Sequence, residues 1–266
     1  MIRFADKRDI PELKNIWKRG FLDDDKTVDA FFGEAWELCR CLCRCDGNKP
    51  VAAMYIFDCE LICGEKTYKA AYLYALSTLP EYRNRGIMSQ LIQSACDTLC
   101  ADGYEYALLA PADDNLSEYY KKLGFLPVCM AKCADIPADC IFDFALETHE
   151  LTPDSLADMR CVRKGDAVRF DSRYVGFALG FCGLKAISFD GGYAVYEPDE
   201  SVTRIIEYGG DENRVLSAVK WVQKSGVYRI FMPPEHLLGE AVCRGMVRPL
   251  CGREPEQNIH IGLIMD

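Results

Sequence analysis

The stretch Thr78–Ser89, "TLPEYRNRGIMS", decides how this chain is read. Before it, "YKAAYLYALST" (68–78) has the apolar and aromatic content of a strand. After it, Met88, Leu91, Ile92, Ala95, Cys96 and Leu99 recur at helical spacing, and Gly103 supplies a C-terminal cap. Arg83, Arg85 and Gly86 therefore sit on a tight loop that runs from a strand straight into a helix N-terminus. Free N–H groups and the positive end of the helix dipole make an anion site there, shaped for a pyrophosphate. Glycine permits close backbone approach, and the arginines add charge. Basic loops before helices are common, so the loop alone identifies no activity.

Upstream, Ile2 to Phe4 reads as a short strand. Asp9 is the expected cap of a first helix, with Pro11 in its first turn and Glu12 in the capping-box position. Ile10, Leu13, Ile16 and Trp17 form that helix's apolar stripe. A second helix is expected over roughly Val28 to Trp36, after the acidic run Asp23-Asp24-Asp25. That run could attract a cationic amine, or it could be a solvated loop in which Asp25 caps the second helix.

Next comes "CRCLCRCD" (39–46), with cysteine at every second position. Period two is a strand signature, and Asp46-Gly47 marks the turn into a second strand, "PVAAMYIFDCELI". Same-face positions lie ~6.6 Å apart, so four sulfurs would span ~20 Å. One tetrahedral zinc takes its thiolates at ~2.3 Å. The four cysteines are read as one face of a strand packed on a helix. Cys59/Cys63, Cys96/Cys100 and Cys129/Cys133 share a C-x3-C spacing without the C-x2-C knuckle of structural zinc, and no metal is expected. The chain has 15 cysteines, an odd number, and no signal-peptide pattern, so reduced thiols used as small hydrophobes are expected.

"YEYALLAP" (104–111) is a compact strand, "NLSEYYKKL" (115–123) a short helix, and Gly124-Phe125 ends it. The order is β-α-α-β-β-β-α-β-α, a mixed α/β domain ending near residue 135. The second half repeats the plan. Residues 152–164 and 171–182 read as two helices, and "KAISFDGGYAVYEP" as a hairpin with Asp190-Gly191 at its turn. "SVTRIIEY" is a third strand. A helix striped by Val215, Leu216, Ala218, Val219 and Val222 follows, and "VYRIFMPP" then parallels "YEYALLAP". This order and punctuation suggest an internal duplication, with domains at 1–135 and 136–266, the second smaller.

At 266 residues, half hydrophobic and 27% charged, the chain can bury two cores. No apolar run approaches the ~20 residues of a membrane span, and a cytoplasmic protein is expected. A formal net charge of −10 argues against nucleic acid as a partner and suits a cationic acceptor.

"YRNRGIMSQLI" resembles the R/Q-x-x-G-x-G/A acyl-CoA loop of the GNAT N-acetyltransferase superfamily, with Arg83 and Gly86 in register. "NLSEYYKKLGF" resembles that family's second signature, an Asn followed by Tyr-x-x-x-Gly-Phe. The likeness covers residues 1 to about 130. Met88 departs from it, standing where the pattern asks for Gly or Ala; position 88 also falls on the helix's apolar stripe. The resemblance implies acetyl-CoA as co-substrate. It implies that the backbone of Leu76, Ser77 and Thr78 meets the thioester and pantetheine arm. Arg83, Asn84, Arg85, Gly86, Ile87, Met88 and Ser89 would form the pyrophosphate loop. Asn115 would contact the pantetheine arm, and Tyr120 would protonate the departing CoA thiolate. Tyr119 is assigned to packing. No base stands out among Glu34, Glu37, Asp58, Glu60 and Asp266. The second half lacks both motifs, so it would be a degenerate GNAT-like domain that shapes the acceptor site, covers sheet edges or mediates a homodimer.

The function expected from this resemblance is acetyl transfer from acetyl-CoA to a primary amine of a small cationic molecule or peptide, by direct attack with Tyr120 as general acid. The alternative is a non-catalytic acyl-CoA-binding or regulatory module. A thiol-based metal or redox protein is the third class, and purified protein is expected to hold neither zinc nor iron.

Overall fold

A computed structural model describes residues 1–161, 166–252, 254–255, 257–263 and 265. It contains two compact units, Met1–Pro127 with Gly245–Pro255, and Val128–Arg244 with residues between 257 and 265.

The first unit runs β1 (Ile2–Phe4), α1 (Ile10–Phe21), α2 (Asp25–Glu34), β2 (Cys39–Asp46), β3 (Lys49–Cys63), β4 (Lys66–Thr78), α3 (Ile87–Ala101), β5 (Tyr106–Leu109) and α4 (Asp114–Lys121). The second contains β6 (Leu126–Pro137, from Val128), β7 (Thr148–Glu150), α5 (Pro153–Cys161), β8 (Ala167–Arg169), α6 (Ser172–Phe181), β9 (Lys185–Phe189), β10 (Gly192–Glu197), β11 (Val202–Gly209), α7 (Glu212–Val222) and β12 (Val227–Met232). A last strand, β13 (Glu240–Pro249), supplies its Gly245–Pro249 part to the first unit, where it pairs with β5. Neither β6 nor β13 is marked by alternation clear enough to be expected from sequence. Of the expected helix 152–164, residues 162–164 lie outside the described residues.

In the first unit the strand order is β1-β2-β3-β4-β5-β13, antiparallel except for the parallel β4/β5 pair. In the second it is β6-β12-β11-β10-β9-β7, with β11/β12 parallel. In both units the parallel pair is joined by one helix, α3 or α7, because parallel strands need a crossover. The mixed α/β class and the order of elements agree with expectation.

Two caps differ from the sequence reading. Asp6, not Asp9, opens the first helical segment: its carboxylate accepts from Arg8 N, and Asp9 accepts from Asp6 N at 2.9 Å. Asp9 is drawn away by Arg3, which donates to both of its oxygens at 2.7 and 2.8 Å. Asp24, not Asp25, caps α2 by accepting from Thr27 N at 2.8 Å.

The cysteine strand lies inside. Cys41, Cys43 and Cys45 are buried, and Cys41 opposes Tyr55 in the ladder, so the two share a face. Trp17 of α1 packs its ring 5.4 Å from Tyr55, which places α1 over the cysteine face. At the Arg44/Cys45 register shift the extra residue, Val51, lies on the partner strand β3, and the Cys43 and Cys45 sulfurs are 3.7 Å apart. Burial pushes the Cys39 thiol up to about 12 and Cys41 well above its ordinary value. These are core thiols. Among the described residues, no group of three or more metal-ligating side chains converges.

Candidate active site

The site begins with a mismatch between two strands. The β4/β5 ladder runs only from Ala70/Tyr106 to Tyr72/Leu108. Strand β5 then ends at Leu109, while β4 continues to Thr78. The β4 backbone from Leu73 to Thr78 therefore runs on past the end of the β4/β5 ladder, and the two strands part there in a wedge. One extra residue on β4 sharpens it: Ala53 opposes Ser77 but Tyr55 opposes Tyr74, and Ala75 sits at φ 49°. Such a bulge bends the strand and turns its backbone groups outward.

The expected residues Leu76, Ser77 and Thr78 lie just past this bulge. The Ser77 side chain is buried and turned toward α1, where its hydroxyl donates to Ile16 O at 3.4 Å. Gly20 makes room for it, since a Cβ there would stand 1.9 Å from Ser77 Oγ. Only the backbone of Ser77 is thus open to a ligand. Thr78 is half-buried, and its hydroxyl oxygen is buried with no hydrogen-bond partner.

A 3-10 turn over Pro80–Tyr82 leads into the basic loop. Asn84 and Gly86 both adopt positive φ, 60° and 70°. Asparagine and glycine tolerate that region best. Gly86 is the N-cap of α3 and places no side chain on the first turn; the space a Cβ would occupy there is empty for 4 Å. The N–H groups at the start of α3, from Ile87 to Ser89, lack intrahelical acceptors by geometry. The residues present thus fit a pyrophosphate. Arg83 is exposed, with Nε donating to Thr78 O at 3.0 Å, so it also anchors the loop to the end of β4. Arg85 donates to Glu81 O at 2.7 Å and lies 5.3 Å from the Tyr82 ring. Met88 is half-buried, outside the fully buried stripe of Leu91, Ile92, Ala95, Cys96 and Leu99.

Helix α4 is capped by Asp113, which accepts from Leu116 N at 2.7 Å. Asn115, in its first turn, is exposed. Tyr120 is buried, its ring 6.0 Å from Phe125 and 5.3 Å from Tyr119. Burial, with smaller contributions from Tyr119 and Asp113, pushes its phenol up to about 12, so it keeps its proton at neutral pH. Tyr119 does more than pack: its hydroxyl lies 2.9 Å from Ser89 Oγ and joins α4 to the first turn of α3. A contact thirty positions apart leaves no periodic trace in the sequence.

The acidic run is engaged internally. Asp23 accepts the Trp17 indole N–H at 2.7 Å, Asp24 caps α2, and Asp25 pairs with Lys18. Asp58 opposes Ala71 and Glu60 opposes Lys69, about 20 Å and about 26 Å of strand away from Ser77. Asp58 also accepts from Tyr104 at 2.6 Å and from Arg40 at 3.1 Å. Glu34 and Glu37 are exposed, Glu37 pairing with Lys7 at 2.8 Å. Asp266 lies outside the described residues.

The matching place in the second unit differs at its decisive point. The β11/β12 ladder stops at Ile205/Ile230, and a cavity of about 430 Å³ lies beside it, lined by Ile206, Tyr208 and Phe231 among others. The N-cap of α7, however, is Asp211, whose carboxylate accepts from Arg214 N at 3.1 Å. An acidic cap fills and neutralises the turn that a phosphate would need.

Residues 1–128 match the family model described as "Acetyltransferase (GNAT) domain". No curated protein matches the sequence. Among solved structures, the chain superposes on a GCN5-related N-acetyltransferase from Kribbella flavida with TM-score 0.73 and 18% identity, covering 94% of this chain and 71% of that one. A GCN5-related N-acetyltransferase from Anabaena variabilis gives TM-score 0.73 and 18% identity over 94% of this chain and 73% of that one. A tandem GNAT protein from the clavulanic acid biosynthesis pathway gives 0.58 and 10%, over 96% of this chain and all of that one. At these identities the likeness establishes the fold. Residues 1–128 thus match the GNAT acetyltransferase domain family, and the chain carries the fold of GNAT proteins.

Proposed function

We propose that the protein is an acetyl-CoA-dependent N-acetyltransferase whose acceptor is a primary amine on a small cationic molecule or peptide. The observation that carries this reading is the wedge between β4 and β5, which opens beside a side-chain-free helix N-terminus at Gly86. In this reading the pyrophosphate rests on the N–H groups of 84–89 with Arg83 and Arg85 beside it. The pantetheine arm runs along the β4 backbone at Leu76–Thr78, near Asn115 on α4.

The amine lone pair attacks the thioester carbonyl carbon, and the tetrahedral intermediate collapses with loss of the C–S bond. The Tyr120 phenol donates its proton to the leaving sulfur, a role suited to a group that stays protonated well above neutral pH. The proton shed by the amine leaves through solvent. Binding without turnover is the second reading, favoured by the lack of any carboxylate on "YKAAYLYALST".

An amine panel assayed for CoA release, paired with calorimetric titration of acetyl-CoA, separates the two. Tyr120→Phe should leave acetyl-CoA affinity in place and lower kcat by roughly 10²–10⁴-fold. Arg83→Glu should weaken acetyl-CoA binding itself. Wild-type protein that binds acetyl-CoA yet acetylates nothing on the panel would establish the module reading.

A further inference from the structure

Two of the cysteines outside the buried core lie close together. Cys100 lies in the last turn of α3 and is half-buried; Cys251 follows β13 and is exposed. Their sulfurs are 3.6 Å apart although 151 positions separate them in sequence. A second close pair, Cys43 and Cys45 at 3.7 Å, is sealed in the core.

The exposed pair is also held in place. The Cys100 thiol donates to Leu250 O at 3.4 Å, and the Cys251 thiol donates to Tyr104 O at 3.5 Å. Leu250 N donates to Glu105 O at 2.8 Å, and Pro249 is in register with Tyr106. The backbone on both sides of the pair is thus fixed by hydrogen bonds within one unit. Closing a disulfide requires the sulfurs to approach to about 2.05 Å, a movement within reach of side-chain rotation.

We propose that Cys100 and Cys251 form a reversible disulfide, a modification site that takes a small organic disulfide as its oxidant. The exposed Cys251 thiolate attacks one sulfur of the small disulfide, breaking its S–S bond and releasing one thiol. The Cys100 thiolate then attacks the Cys251 sulfur of the mixed disulfide; the protein S–S bond forms and the second small thiol leaves. The protein gives up two electrons and two protons, and the small disulfide takes them up as two thiols. Contact with the Cys100 sulfur raises the Cys251 thiol above its ordinary value, so the exchange should accelerate as pH rises. The bond would close at the far end of α3, about 20 Å along the helix from Gly86, leaving the basic loop untouched.

The test is to incubate the full chain with oxidised glutathione, trap remaining thiols with iodoacetamide and map the digest by mass. The expected product is a Cys100–Cys251 linked peptide, two hydrogens lighter than its reduced parts and reversed by dithiothreitol. Cys100 and Cys251 should lose reactivity in parallel, with Cys43 and Cys45 unlinked. Cys100→Ser should stop at a glutathione adduct on Cys251, and Cys251→Ser should give no linked peptide. A persistent adduct on Cys251 in the wild type, pairing of either residue with another cysteine, or no reaction would overturn the proposal. The wild-type map decides even where a serine variant fails to fold, and none of these readouts depends on acetyl transfer.

Discussion

Gly20→Ala should destabilise the first unit, although helix propensity alone says the opposite. Gly20 lies in the last turn of α1, where exchanging glycine for alanine favours a helix by up to about 1 kcal/mol. The new Cβ would lie 1.9 Å from Ser77 Oγ and 3.0 Å from Ser77 Cβ. Rotating the hydroxyl away from Ile16 O relieves the first contact and leaves the second, so α1 must also shift on β4. Overpacking of this kind costs about 2 kcal/mol at the middle of its usual range, leaving a net loss of about 1 kcal/mol. Ser77→Gly removes both offending atoms at a cost of its own near 1 kcal/mol. In the double variant the alanine should be favourable again, giving a coupling of about 2 kcal/mol. Urea unfolding followed by tryptophan fluorescence reads this in a Trp221→Phe background, which leaves Trp17 and Trp36 in the first unit as reporters. Because two units can unfold separately, midpoint and slope are compared within this background only. If Gly20→Ala is neutral or stabilising, α1 does not rest on the bulged end of β4 and the account of Ser77 is wrong.

Asp23→Ala should cost about 1–3 kcal/mol, because it strips the acceptor from the buried Trp17 indole N–H; Trp17→Phe in the same chain should recover much of that in urea midpoints. Tyr119→Phe and Ser89→Ala should each lower stability by about 0.5–1.5 kcal/mol, and the pair together by no more than either alone, since both delete one hydrogen bond. Stability should fall as pH rises from about 9 to 11. Burial holds Cys96 at about 11 and Cys39 at about 12, so the folded chain keeps protons that the unfolded chain releases near 8.5–9. The loss approaches about 1.4 kcal/mol per pH unit for each such thiol, and urea midpoints that stay flat between pH 8 and 10.5 would refute it.

The parts of the site legible in the sequence are those written by local chemistry. The strand before residue 78, the stripe of α3 and the Gly86 N-terminus all follow from composition and spacing within one short window. The Asp46-Gly47 turn and the cysteine face of β2 were equally local. What escaped was set by tertiary partners. Asp9 has the residue type and position of a helix cap, but Arg3 recruits its carboxylate and the role passes to Asp6. Tyr119 reads as an ordinary helix aromatic until α4 meets Ser89. Gly20 breaks the rule against glycine in helices, and the reason, Ser77, is fifty-seven positions away. The Gly245–Pro249 part of β13 belongs to a unit whose other strands end before residue 128, an arrangement no local pattern announces.

The two units carry the same crossover, strand to helix to parallel strand, and in both the parallel ladder stops short of the strand ends. The geometry that opens a wedge is therefore a property of the crossover and cannot by itself assign acyl-CoA to one unit. The proposed acyl-CoA site in the first unit rests instead on the first helical turn. At Gly86 the cap has no side chain, the φ is positive, the space beside it is empty and two arginines flank it. At Asp211 the cap is a carboxylate already accepting from its own helix, so the positive end of the α7 dipole is spent on an internal anion. A pyrophosphate arriving there would have to displace that carboxylate and sit beside its charge. One residue at a helix start thus separates a turn open to a phosphate from one that caps itself, with the surrounding strands and helix held in common.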